Sequence, residues 1–442
     1  MTSRGHFATR LGFVLAAAGS AVGLGNIWKF PFMAGQNGGG AFLLLYIVFV
    51  LTIGLSVMLA EFAIGRAGQR NPVGSFRALK GGAWPAVGGL GVVAGFVILS
   101  FYSVVGGWTL AYAIKSVSGA LASNDPTVLG AAFGAFIAEP AGVIGFHTAF
   151  LVLTLVIVAG GVRGGIERAS RILMPILALL VIVLAVRAVT LDGAAKGIAF
   201  FLTPDFTHVT WNTVNAALGQ AFFSLSLGMG AMITYASYLD RQVNLPKTAA
   251  QVSLLDTGFA VIAGLMILPA VFAFGFDPAA GPGLTFITLP AVFAQMPAGA
   301  LFAFLFFMLL AIAALTSAVS IIEPVVSYLI DERGLSRRWA TWGAGAVTWA
   351  LGIPSALSLG PWKDVTVGGK GILDAVDYLA SNIMLPLGGI LIALFVGWSV
   401  AARAVDEVQS GGTHPFPLAR AWIFICRFIA PAAVAWVMIK GL

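Results

Sequence analysis

Residues 10–42, RLGFVLAAAGSAVGLGNIWKFPFMAGQNGGGAF, constrain the chain most. The first two-thirds of this stretch is apolar enough to enter a bilayer as a helix. Yet it carries Gly19, Gly23 and Gly25, with Ser20 and Asn26 among them. Helix formers flank the cluster, and glycine costs about 1 kcal/mol in a helix interior. The pattern predicts a helix that stops and restarts in mid-membrane. Irregular backbone at that depth is tolerated only where it faces protein or lines a water-filled cavity. Carbonyls freed there suit a cation, and amides of the restarting half suit an anion. The spacing Gly19-x-x-x-Gly23 is also a helix-packing pattern, and this stretch alone leaves both readings open.

Apolar runs of about 20 residues recur along the whole chain, the length a bilayer-crossing helix needs. With 59% hydrophobic and 9% charged residues among 442, the chain is no soluble domain. Eleven spans are predicted: 10–35, 41–68, 87–120, 141–160, 166–187, 212–237, 250–275, 297–330, 338–354, 370–398 and 417–439. Sixteen lysines and arginines fall on the N-terminal side of these spans and six on the other. That bias puts the N-terminus in the cytoplasm, and an odd span count puts Leu442 outside. The net charge of +7 is then cytoplasmic-loop charge and no sign of a nucleic-acid partner. Arg4 and Arg10 precede the first span, but no cleavage site follows a short apolar core, so no cleavable signal is expected. The single cysteine, Cys426, excludes an intrachain disulfide. The apolar loops 121–140 and 276–296 fit short helices capping an outer vestibule.

Span six, WNTVNAALGQAFFSLSLGMGAMITYASY, is also interrupted, at Ser224–Gly230. Interrupted helices at matching positions of two halves point to an inverted-repeat transporter with a midplane site. Other polar residues inside spans are costly unless they serve something. Asp256 lies in span seven, and Thr316 and Ser317 are adjacent in span eight; such hydroxyls also bond back to the i−4 carbonyl. Tyr102 lies in span three beside Phe101, and Glu323 and Asp331 read as interfacial charges. The four histidines (His6, His147, His208 and His414) are scattered, so no nucleophile–base pair or metal cluster supports an enzyme.

The motifs RLGFVLAAAGSAVGLGNIWKFPF, NGGGAF, FFSLSLGMGAMITYASY, ALTSAVSIIEP and LDAVDY run in order along the chain. They resemble the neurotransmitter:sodium symporters, in the bacterial amino-acid branch with eleven spans. The resemblance covers residue 4 to about 435. It implies an all-α polytopic membrane protein with a 5+5 inverted-repeat fold. The repeats would be 8–188 and 210–400, inside one domain of residues 1–442, with an additional helix at 417–440. It also implies a multi-pass protein of a prokaryotic inner membrane, working as a monomer or weak homodimer.

Carried over residue by residue, the resemblance implies two sodium sites. The first would use the Ala21 carbonyl, the Asn26 side chain, the Ser224 carbonyl and hydroxyl, Asp256, and the substrate carboxylate. The second would use carbonyls of Gly19, Val22 and Ala313 with hydroxyls of Thr316 and Ser317. Chloride-dependent relatives carry a serine where Ala260 stands, so a fixed Asp256 carboxylate implies chloride independence. The substrate carboxylate would meet amides of Leu24 and Gly25 and the Tyr102 hydroxyl. Its ammonium would meet carbonyls of Ala21, Phe223 and Ser226. Monoamine-carrying relatives place aspartate at the position of Gly23; glycine implies a zwitterionic amino acid. Ile98, Tyr102, Phe223, Ser226, Met229, Ser317, Ser320 and Ile321 would form an uncharged side-chain pocket. Such a pocket suits hydrophobic residues and penalises charged ones.

The same resemblance implies an outer gate, Lys29 with Asp377, under which Phe223 is a lid. Lysine replaces the usual arginine and cannot make a bidentate contact. Arg4 and Asp331, with Ser237 and Tyr238 nearby, match the inner gate. Gly165 and Pro175 match a pair that permits inner-end unwinding of span five; an ordinary kink is the other reading. The expected activity is sodium-coupled uptake of hydrophobic amino acids, with a proton-coupled permease of the same fold as the alternative.

Overall fold

The computed structural model describes residues 5–207, 209–279 and 283–441. Eleven helical segments follow the expected order: α1 (Arg10–Ala21 and Gly25–Gln36), α2 (Gly40–Gly68), α3 (Pro85–Val117), α4 (Pro140–Ala159) and α5 (Val162–Val189). Then come α6 (Trp211–Ser224 and Ala231–Ala236), α7 (Leu245–Ala273), α8 (Gly299–Arg333), α9 (Arg337–Leu357), α10 (Ile372–Ser399) and α11 (Ala419–Gly441). Among the described residues, eight of the unbroken helices are long and apolar enough to cross a membrane, and the bent α1 pair makes nine. The broken α6 and the more polar α9 complete the set. Of the eight, α8 is the most enclosed, with 83% of its most apolar stretch buried, and α11, at 22%, is peripheral.

Both predicted interruptions are present. Thr9 caps α1, its hydroxyl accepting from Gly12 N at 3.0 Å. The first half ends at Ala21, and Val22 takes an extended conformation (φ −76°, ψ 90°). The second half leaves at an angle of 49°. In α6, the Thr210–Thr213 capping box starts the helix, and it ends at Ser224. Ser226, Gly228 and Gly230 then adopt positive φ (55°, 85° and 75°). At Gly228 a side chain would also strike the Leu385 carbonyl, so both conformation and space require glycine.

The two breaks hold each other. Ser226 Oγ donates to Ser20 O at 2.8 Å, and Gln220 Nε2 donates to Gly25 O at 2.8 Å. From α2, buried Glu61 accepts the Gly228 amide on Oε1 at 2.7 Å. Freed peptide groups are thus partly satisfied by side chains, which is what lets an unwound segment sit inside a packed core.

On the N-terminal face, the chain entering α1 is tied down. Ala8 N and Thr9 Oγ1 donate to Glu167, at 2.7 and 3.0 Å. The Phe7 ring packs edge-on against Phe13 and Tyr235. Glu323 does not lie at the interface as its sequence context predicts. It is fully buried, accepts Tyr238 Oη at 2.7 Å, and pairs with Arg337 at 2.6 Å. The reason is that α9 starts just past the α8–α9 turn and returns Arg337 beside α8. On the far face, helices Pro126–Ala138 and Leu284–Ala294 fill the long loops, and Phe133 stacks on Phe286 at 5.6 Å. A two-stranded antiparallel pair, Thr366–Val367 with Lys370–Gly371, links α9 to α10.

Candidate functional site

The first cluster forms where the outer half of α1 meets the end of the first half of α6 and the middle of α7. Asn26, Ser224 and Asp256 are all buried there. Asn26 Nδ2 donates to Asp256 Oδ1 at 2.7 Å and to the Asp256 carbonyl at 3.0 Å. Ser224 Oγ lies 2.9 and 2.8 Å from the two carboxylate oxygens. Tyr46 from α2 adds a third contact, 3.0 Å to Asp256 Oδ2 and 3.0 Å to Ser224 Oγ. With its nitrogen committed to Asp256, Asn26 keeps a buried Oδ1 that has no hydrogen-bond partner among the described residues. A buried acceptor left without a donor calls for an explanation, and an ion is one. The donor set is all oxygen and includes one carboxylate, which fits a small hard cation.

The second cluster joins the first half of α1 to α8. Ser317 Oγ donates to Gly19 O at 3.3 Å and Ser20 O at 3.1 Å. Thr316 Oγ1 donates to Ala313 O at 3.0 Å and Ile312 O at 3.2 Å. Val22, in its extended conformation, keeps its amide on Ala18 O at 2.6 Å while its carbonyl leaves the helix ladder. Gly19, Ala313, Thr316 and Ser317 therefore meet. The Ser20 hydroxyl is buried beside them without a partner among the described residues.

Between the clusters, Tyr102 Oη accepts the Leu24 amide at 3.4 Å. A Cβ placed on Gly23 would collide with Ser317 Oγ and lie 3.1 Å from Tyr102 Oη. One on Gly25 would press on the Phe223 ring at 3.2 Å. These contacts bring the restarting end of α1, Tyr102, Ser317 and Phe223 around one small space. Ile98, Ser226, Met229, Ser320 and Ile321 are buried in the same region of α3, the α6 break and α8, while Ala21 closes the first half of α1. Ser320 Oγ turns back to Ser317 O at 2.7 Å.

A cavity of about 280 Å³ extends from Leu24, Gly25 and Tyr102, past Phe223, to Lys29 and Asp377. Lys29 and Asp377 both line it. No ion pair within 4.0 Å joins them among the described residues, and Lys29 Nζ sits 4.3 Å from the Phe223 ring centroid. Asp377 instead accepts Ser381 Oγ at 2.9 Å. At the N-terminal face, Arg4 lies outside the described residues. Asp331 accepts Asn71 N at 2.8 Å, and Ser237 Oγ turns to Thr234 O at 2.6 Å. Gly165 is buried where a Cβ would strike the Ile157 carbonyl, and Pro175 lies inside an unbroken helix.

Tyr46, Glu61 and Gln220 are not among the residues that the sequence singles out. Tyr46 and Glu61 did carry a signal, a lone polar group inside the apolar second span. His147 is buried with Nε2 3.4 Å from Trp349 O, as a packing residue would be.

A family model described as the Sodium:neurotransmitter symporter family matches residues 4–128 and 138–442. The chain belongs to this family. An uncharacterized sodium-dependent transporter YhdH of Bacillus subtilis is 42% identical over 98% of this chain and 97% of its own length. An uncharacterized sodium-dependent transporter of Methanocaldococcus jannaschii, MJ1319, is 38% identical over 91% and 84%. The sodium- and chloride-dependent GABA transporter 2 of Homo sapiens is 27% identical over 99% and 80%. The solved structure of MhsT in complex with L-phenylalanine matches with a TM-score of 0.91 and 46% identity, covering all of both chains. This member of the symporter family is therefore a multi-pass, sodium-dependent transporter with discontinuous α1 and α6, and not an enzyme.

Proposed function

We propose that this family member imports hydrophobic, zwitterionic L-amino acids together with sodium, by alternating access and without chloride. The observation that carries the reading is the buried group Asn26–Ser224–Asp256 next to the restarting end of α1, where the Leu24 amide has left the helix ladder and rests on Tyr102 Oη. A cation held by Asn26 Oδ1, Ser224 and Asp256 lies beside the place where a carboxylate would accept that amide. The positive end of the restarting helix favours that carboxylate. Ion and amino acid then share a boundary, so each raises the affinity of the other by the same factor. Asp256 supplies a fixed negative charge, and Ala260 leaves no hydroxyl for a halide one turn away. The second cluster binds its sodium through neutral oxygens alone and releases it more readily.

The N-terminal face, rich in arginine, is read as cytoplasmic. There Tyr238, Glu323 and Arg337 close the pathway, while the far-face cavity between Lys29 and Asp377 gives entry to the site. Movement of two sodium ions with a neutral zwitterion draws roughly 4.6 kcal/mol from a 100 mV potential.

Uptake of labelled phenylalanine or leucine into proteoliposomes tests the reading. Uptake is expected with external sodium but not potassium or choline, and unchanged when gluconate replaces chloride. Equal uptake in all three cations refutes it. The MhsT complex with L-phenylalanine supports an aromatic test substrate.

A further inference from the structure

Away from the transport pathway, a cavity of about 730 Å³ lies between the segment after α10 and the start of α11. Its polar lining is Arg420, Arg427, Asp406 and Gln409. Arg427 lies within α11, eight residues past its start, so about 12 Å along the helix at 1.5 Å per residue. An arginine at that depth is costly unless it serves something. Its Nε donates to Gly397 O at 2.6 Å, and its guanidinium lies 5.5 Å from the Trp398 ring centroid. That holds the charge level with the last turn of α10. Its terminal nitrogens make no hydrogen bond or ion pair among the described residues, and neither does exposed Arg420. Two guanidiniums thus face one carboxylate, leaving the cavity a net positive charge. Its outer wall is Phe424 and Phe428, 54% and 48% exposed on the apolar α11.

We propose that this cavity binds one anionic glycerophospholipid from the leaflet at the N-terminal face. Arg420 and Arg427 take the phosphate, Asp406 accepts a headgroup hydroxyl, and the acyl chains run along Phe424, Phe428 and Trp398. The volume is in the range of organic-ligand sites and far exceeds what a bare phosphate fills. The charge balance selects an anionic over a zwitterionic headgroup. Fork-shaped guanidiniums match phosphate oxygens better than ammoniums do.

Native mass spectrometry of the delipidated full chain tests this, with added phosphatidylglycerol, phosphatidylcholine or inorganic phosphate. The intact chain is expected to retain one phosphatidylglycerol in preference to phosphatidylcholine. Each guanidinium–phosphate contact contributes about a fivefold gain in retention, so R420Q costs about fivefold and R420Q/R427Q about 25-fold. Arg420 is exposed and R427K keeps the charge, so these variants separate lost binding from lost folding; R427K is expected to retain most of the lipid. Inorganic phosphate should not displace it. Equal retention of the two lipids by the intact chain, equal retention of phosphatidylglycerol by R420Q/R427Q, or displacement by inorganic phosphate would overturn the proposal.

Discussion

The two oxygen clusters beside the α1 break are built on different principles. The one at Asn26 is organised by a carboxylate: Asp256 gathers an amide and two hydroxyls from three other helices. The one at Ser317 has no charge, and its hydroxyls bond to backbone carbonyls of α1 and α8. A charged centre keeps its partners ordered whether or not an ion is present. A neutral one depends on two helices staying in register. On the proposed function, coupling belongs to the first cluster and release to the second, whose hydroxyls join α1 to α8.

Mutations sharpen that contrast. Asp256→Ala strips the charge from a buried ion site and is expected to weaken sodium-stimulated phenylalanine binding most, by about 3 kcal/mol or roughly a hundredfold. Scintillation-proximity binding against a sodium series measures it. Thr316→Val with Ser317→Ala removes two neutral ligands, each worth about 1 kcal/mol, so roughly thirtyfold is expected. Should the double variant cost more than Asp256→Ala, the ranking of the two clusters is reversed. Tyr46→Phe removes one of three donors to Asp256, an expected loss of about 1 kcal/mol in the same assay. Lys29→Arg has the smallest effect, below about 1 kcal/mol, and acts on dissociation: a fork that reaches Asp377 should slow amino-acid release to the far face.

Much of this was legible in the sequence, for a physical reason. An apolar helix has few excuses for glycine clusters or buried hydroxyls, so Gly19–Gly25, Ser224–Gly230, Thr316 and Ser317 stood out. Asp256 stood out as a charge inside a span. What stayed hidden were pairings across long separations. Glu61 reaches the Gly228 amide from α2, and no spacing rule links residues so far apart. Glu323 looked interfacial because its partner, Arg337, enters only after a turn. Lys29 matches a gate pair in sequence, yet here it rests on Phe223, a contact that no spacing rule points to.

Reciprocal coupling tests the central claim most directly: equilibrium binding of radiolabelled sodium to the purified protein, with and without saturating phenylalanine. Phenylalanine should raise sodium affinity in the unaltered chain, still raise it in Thr316→Val/Ser317→Ala, and leave it unchanged in Asp256→Ala. Undiminished coupling in Asp256→Ala would mean that the ion and the amino acid do not meet at the α1 break.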